Sequence, residues 1–135
     1  MINHYNGACL CGKVEFEITG EFEHFFLCHC SRCRKTSGSA HGANLFSKSA
    51  ALKFNSGEEL VKSFKVEGTR FTTTFCSECG SKLPKDFGGK IIQVPAGALN
   101  DDVHIKPSAH IFYGSRANWD EHLESIHKYD EGIKK

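Results

Sequence analysis

Hydrophobic and polar residues alternate along much of this chain at the period of a strand. In KVEFEIT (13–19), Val14, Phe16 and Ile18 alternate with Lys13, Glu15 and Glu17, which predicts a half-buried strand. EFEHFFLC (21–28) is a second, aromatic-rich run entered through Gly20. ELVKSFKV (59–66) places Leu60, Phe64 and Val66 on one face, with Lys62 as the exception. RFTTTFC (70–76) is β-branched and aromatic and follows Gly68. KIIQVPAGAL (90–99) starts as a strand and meets Pro95, where it runs at a sheet edge or stops. SAHIFYG (108–114) is another short strand. Only NWDEHLESIHKY (118–129) shows helical spacing, through Trp119, Leu123, Ile126 and Tyr129. A charged C-terminal turn docked by Trp119 fits the same residues. Many short strands and one short helical pattern predict an all-β, mainly antiparallel fold, with residues 1–135 as a single domain.

Composition adds limits. The chain has 135 residues, of which 39% are hydrophobic, enough for a core that a metal would assist rather than replace. Lys plus Arg number 17 against 16 Asp plus Glu, a net charge of +1. That balance argues against a duplex-DNA binder, whose phosphate contacts need a basic excess. The start, MINHYNGACLCG, lacks a charged segment followed by an apolar run, so no signal peptide is expected. No stretch approaches the ~18 apolar residues of a membrane span. The expected compartment is the cytoplasm. In that reducing setting, cysteines serve metals or catalysis more often than disulfides.

The seven cysteines change the picture most. Seven is odd, so complete internal pairing is impossible. CLCG carries Cys9 and Cys11, CHCSRC carries Cys28, Cys30 and Cys33, and CSECG carries Cys76 and Cys79. In the first and last groups the second cysteine precedes a glycine, Gly12 or Gly80. A metal knuckle must turn sharply to aim backbone N–H groups at sulfur, and glycine reaches the required φ without a Cβ clash. Two such knuckles supply four thiolates, a closed tetrahedral zinc set. One ion gripping Cys11 and Cys76 closes a loop of about 65 residues, which removes more chain entropy than a short loop does. CSEC could instead be a redox pair, but it leads into GSKLPKDF, with no helix to lower a thiol pKa. The remaining three cysteines are too close together to serve different sites. Three protein ligands with an open fourth position is how catalytic zinc is held. The rival is a closed site, with His24, His29, His41 or His110 as the fourth ligand.

GACLCGKVEFEI, CHCSRCRKTSG, FCSECGS and the tail HIFYGSRANW…KYDEG resemble, in order, the glutathione-dependent formaldehyde-activating enzyme family, which also includes centromere protein V. The resemblance covers nearly the whole chain. It implies a zinc-binding fold of the Mss4-like, or β-tent, kind and two Zn2+ per chain. Cys9, Cys11, Cys76 and Cys79 match the family's structural zinc site, and Cys28, Cys30 and Cys33 its catalytic one. It also implies a carbon–sulfur lyase that joins formaldehyde to glutathione as S-hydroxymethylglutathione.

Three thiolates on Zn2+ leave the site at net −1, which suits a soft ligand better than water. A thiol entering the fourth position would be held as thiolate. Arg32, Arg34 and Lys35 could meet the carboxylates of an anionic thiol such as glutathione. Arg116 is a fourth candidate for that role, and His110 a candidate base or pocket donor. Each also has a plain reading, as solvated surface charge or as a hydrogen-bonded buried histidine. Two further functions stay open. One is a non-catalytic binding module with both zincs structural. The other is a nucleic-acid or cytoskeletal binder, which the interleaved charges disfavour. A homo-oligomer is compatible with the sequence.

Overall fold

A computed structural model describes residues 3–133; of the expected domain 1–135, residues 1, 2, 134 and 135 lie outside the described part. Among the described residues the fold is all-β apart from one short α-helix and short 3-10 turns, and every strand pairing but one is antiparallel. The strands β1 (His4–Ala8), β2 (Glu15–Thr19) and β5 (Ala51–Ser56) form one sheet in the order β1-β2-β5. The alternation read from 13–19 holds in β2. Phe16 and Ile18 are buried, Val14 just before the strand is buried, and Glu15 and Thr19 face water.

The second sheet has five strands in the order β10-β3-β4-β9-β8. These are β3 (His24–Cys28), β4 (Gly42–Ser47), β8 (Lys85–Asp86), β9 (Ile92–Pro95) and β10 (Ala109–Ile111). The strand β9 stops at Pro95, as the missing N–H requires. The strand β10 lies parallel to β3, pairing Ala109, His110 and Ile111 with Phe26, Leu27 and Cys28. A two-stranded ribbon joins β6 (Val61–Lys65) to β7 (Thr72–Cys76). Tyr5, Phe16, Ile18, Leu45 and Val94 form the centre of the core, between the first two sheets.

Three local readings differ from the structure. Phe64 does not point inward; the outer strand of the ribbon is exposed along most of its length, and Phe64 is 60% exposed. Residues 118–129 form no α-helix and only a single 3-10 turn at Leu123–Ser125. Leu123, Ile126 and Tyr129 find no surface to bury against and stay exposed, so the apolar stripe that would hold such a helix has nothing to stabilise it. Trp119 is 56% exposed and docks nothing firmly. The helix that does form, α1 (Ser31–Ser37), lies inside CHCSRCRKTSG. Cys30 is its N-cap, with Sγ accepting the Cys33 N–H at 3.3 Å, and Gly38 closes it by donating its N–H to Arg34 O at 2.8 Å.

Candidate functional site

Two sheets contribute to the first cysteine group. Cys9 and Cys11 sit in the turn between β1 and β2, and Cys76 and Cys79 at the end of β7. Both knuckles turn at a left-handed glycine, Gly12 (φ 80°) and Gly80 (φ 76°), whose N–H groups return to Cys9 O and Cys76 O. Sulfur lies 3.5 Å from sulfur between Cys9 and Cys11, and 4.0 Å between Cys11 and Cys76. Two thiolates bound at about 2.3 Å to one tetrahedral zinc lie about 3.8 Å apart, so the set fits that ion. The N–H groups of Val14 and Glu78 point at Cys9 Sγ and Cys76 Sγ, both at 3.4 Å. The Ser81 hydroxyl and N–H draw the Cys79 thiol down to about 5, so one ligand is ionised well below neutral pH. All seven cysteines are free.

The second group stands where β3 ends and α1 begins. Cys28, Cys30 and Cys33 bring their sulfurs within 4.8 Å of one another. Burial, followed by the neighbouring thiols of Cys28 and Cys30, pushes the Cys33 thiol up; burial also raises Cys28. Burial pushes Cys30 up as well, but the Cys33 N–H and the adjacent thiols outweigh it and leave Cys30 lowered. Of the three thiols, Cys30 therefore ionises most readily, and a bound cation would favour the thiolate form of all three. Among the described residues, no His, Asp, Glu or further Cys completes this group. His29 turns away from it, with Nε2 2.8 Å from His110 Nδ1. His24 stacks on Phe26, with ring centroids 5.2 Å apart, and His41 belongs to a different cluster.

A cleft of about 500 Å³ opens on this group and is lined by Cys28, Cys30 and Cys33. Phe26, Phe46, Phe71, Phe87 and Phe112 supply its aromatic walls, among polar residues such as Asn44 and Gln93. Arg32 and Arg70 supply its positive charge. Of the basic residues singled out from sequence, Arg32 lines the cleft, whereas Arg34, Lys35, Arg116 and His110 are not in its lining. Arg116 lies over the Tyr113 ring at 4.3 Å and binds Glu121 Oε1 at 3.0 Å. His110 is held by His29.

Sequence reasoning missed Arg70, the phenylalanine walls and Lys82. Arg70 opens the RFTTTFC run, and nothing in its spacing tied it to residue 28. Lys82 follows the second knuckle and donates to Thr36 Oγ1 on α1 at 3.1 Å, joining the two cysteine regions. Burial lowers its pKa, and Cys33 and Cys30 oppose that shift.

The β-sheet scaffold thus carries a four-cysteine cluster across two sheets and a three-cysteine cluster on a cleft, each of which could hold a metal ion through thiolates. The family described as glutathione-dependent formaldehyde-activating enzyme matches residues 4–115, and the chain belongs to that family. Among curated proteins, none matches the chain. The crystal structure of a Rhodobacter sphaeroides protein shares the fold, with a TM-score of 0.52 at 21% identity, covering 78% of this chain and 98% of that one.

Proposed function

We propose that this chain is a zinc-dependent carbon–sulfur lyase acting on the adduct of a small thiol, glutathione or a relative, with formaldehyde or a related aldehyde. The observation that carries the reading is the placement of Cys28, Cys30 and Cys33 on an open, basic-edged cleft, with no fourth ligand residue beside them among the described residues. Family membership supports it. One Zn2+ would be held by Cys9, Cys11, Cys76 and Cys79 and a second by Cys28, Cys30 and Cys33, on an Mss4-like scaffold formed by residues 1–135. The second ion would supply a position in which a substrate thiol is held as thiolate. Overall, the thiol S–H adds across the aldehyde C=O: a carbon–sulfur bond forms, and the carbonyl oxygen takes up the proton.

The protein's own residues have separable parts in this. Arg32 and Arg70 hold substrate carboxylates at the rim, and the phenylalanine walls exclude water from the sulfur. Lys82 offsets the negative charge of the three thiolates from behind α1. Arg34, Lys35, Arg116 and His110 lie outside the cleft lining and take no direct part in holding substrate. The setting is cytoplasmic. Among the described residues, no helix is long and apolar enough to cross a membrane.

Calorimetric titration with glutathione in two buffers of different ionisation enthalpy tests the reading. Glutathione should bind with proton release, and affinity should rise with pH until the free thiol ionises near pH 8.5. S-methylglutathione, which cannot become a thiolate, should bind far more weakly. Equal affinity for the two, or no proton release, would overturn thiol ligation and leave a binding module whose zincs are both structural.

A further inference from the structure

The structure holds a second constellation of ligand atoms that neither cysteine group uses. One nitrogen each from His29 and His41 and a carboxylate oxygen of Asp120 lie within 4.8 Å of one another. They come from three separate places: the turn after β3, the lead into β4, and the loop beyond β10. We propose that His29, His41 and Asp120 form a third metal site, for a divalent first-row transition ion such as Zn2+.

The hydrogen bonding around His29 carries the argument. Its side chain is completely buried. Nε2 lies 2.8 Å from His110 Nδ1, so one ring nitrogen is engaged. Nδ1 lies 3.2 Å from Asp120 Oδ2, within ion-pair range, yet it makes no hydrogen bond. The buried Nδ1 of His41 also lacks a partner. Buried imidazole nitrogens ordinarily find one. Two ligands about 2.0–2.1 Å from one tetrahedral zinc lie about 3.3 Å apart and are each aimed at the ion, not at each other. A short N···O separation without a hydrogen bond is therefore the spacing that a shared cation would produce. The His110 contact completes the pattern. With His29 Nε2–H donating to His110 Nδ1, the His29 Nδ1 lone pair is free for a metal, as in metal-bound histidines generally.

The donor set selects the ion. Two imidazoles and one carboxylate suit Zn2+ and its first-row neighbours, whereas Ca2+ and Mg2+ ask for oxygen donors throughout. The Tyr113 ring covers the His29 ring edge-on, with centroids 5.2 Å apart and planes at 86°. Asp120 belongs to the loop that also carries Phe112 and Ser115, both in the lining of the cleft at Cys28. Phe112 sits in the left-handed region at φ 53°, a conformation an aromatic residue holds only when its surroundings impose it. An ion on Asp120 would clamp this loop to the end of β3 and fix that wall of the cleft. The proposal does not depend on thiol binding at the cysteines.

Equilibrium dialysis of the full chain against buffered free Zn2+, followed by elemental analysis, tests it. The wild type should hold three ions per chain. Asp120→Asn and His41→Gln should each hold two. In the Co2+-substituted forms of both variants, the thiolate-to-metal charge-transfer bands should keep full intensity, because the cysteine sites are intact. Asp120→Asn preserves the shape of the side chain on a partly exposed loop, so it remains informative should His41→Gln misfold. A wild type that saturates at two ions, or an Asp120→Asn variant that still holds three, would overturn the third site.

Discussion

The sulfurs of Cys11 and Cys76 lie 4.0 Å apart although 65 residues separate them in the chain. The contact ties the β1–β2 turn to the end of β7, two sheets that share few other direct pairings. A metal there closes a long loop and couples its own binding to folding. Structural zinc binding is worth ~10–16 kcal/mol in small zinc peptides, comparable to the whole stability of a domain at ~5–15 kcal/mol. Cys9→Ser and Cys79→Ser should therefore abolish cooperative unfolding or solubility. Cys30→Ser should remain folded while losing the metal of the open group. Circular dichroism melts check this; equal stability of the two kinds of variant would show that the groups do not divide the work in this way.

Those two groups were legible from sequence because Cys–Gly knuckles and clustered thiols carry their chemistry in local spacing. The alternation in β2 was legible for the same reason, since one buried face enforces period two. Helix α1 was not, because its N-cap is Cys30, outside the usual Ser, Thr, Asp and Asn set, and the run reads first as ligands. The strand β4, GANLFS, escaped because it lies inside the five-stranded sheet with inward positions on both faces, so it does not alternate. Residues 118–129 show the opposite failure: helical spacing without a surface to bury the stripe. His29, a candidate fourth ligand by sequence, turns away from the open group toward His110. Its neighbour His110 is placed by β10 lying parallel to β3, and Asp120 by the loop beyond that strand, both far from His29 in the sequence.

Gly7 on β1 pairs with Phe16 on β2. A Cβ at Gly7 would lie 2.2 Å from Phe16 Cζ and 2.7 Å from the Ala98 carbonyl oxygen. Phe16 is fully enclosed and the carbonyl belongs to the backbone, so neither can move aside cheaply. Gly7→Ala should cost about 1–3 kcal/mol, read as a lower urea midpoint at unchanged slope.

Lys82 places an ammonium between the two cysteine regions, bonded to Thr36 and attracted by Cys33 and Cys30. Three thiolates around a divalent ion leave a negative centre, and a partly buried cation nearby stabilises it. Lys82→Met should weaken metal binding at Cys28, Cys30 and Cys33 by roughly tenfold, corresponding to about 1.4 kcal/mol. The four-cysteine group should be unaffected. Competition with a graded series of chelators resolves the two; equal weakening at both would assign Lys82 a general packing role instead.

The cleft walls and its two arginines divide recognition between shape and charge. Arg32 and Arg70 both line the cleft, whereas Arg34 does not. If the thiol enters sulfur first, its carboxylate meets the rim. Arg32→Ala and Arg70→Ala should each weaken 3-mercaptopropionate by roughly three- to tenfold, the range for a partly exposed charged contact, and leave neutral 2-mercaptoethanol nearly unchanged. Arg34→Ala should alter neither. Phe71→Ala should reverse the pattern: it removes apolar wall, so benzyl mercaptan should lose more affinity than 2-mercaptoethanol. Displacement titrations against the Co2+-substituted protein measure all four variants on one scale, because a thiol entering the open position changes the charge-transfer spectrum. Equal losses for anionic and neutral thiols in the arginine variants would mean that the cleft selects by sulfur alone.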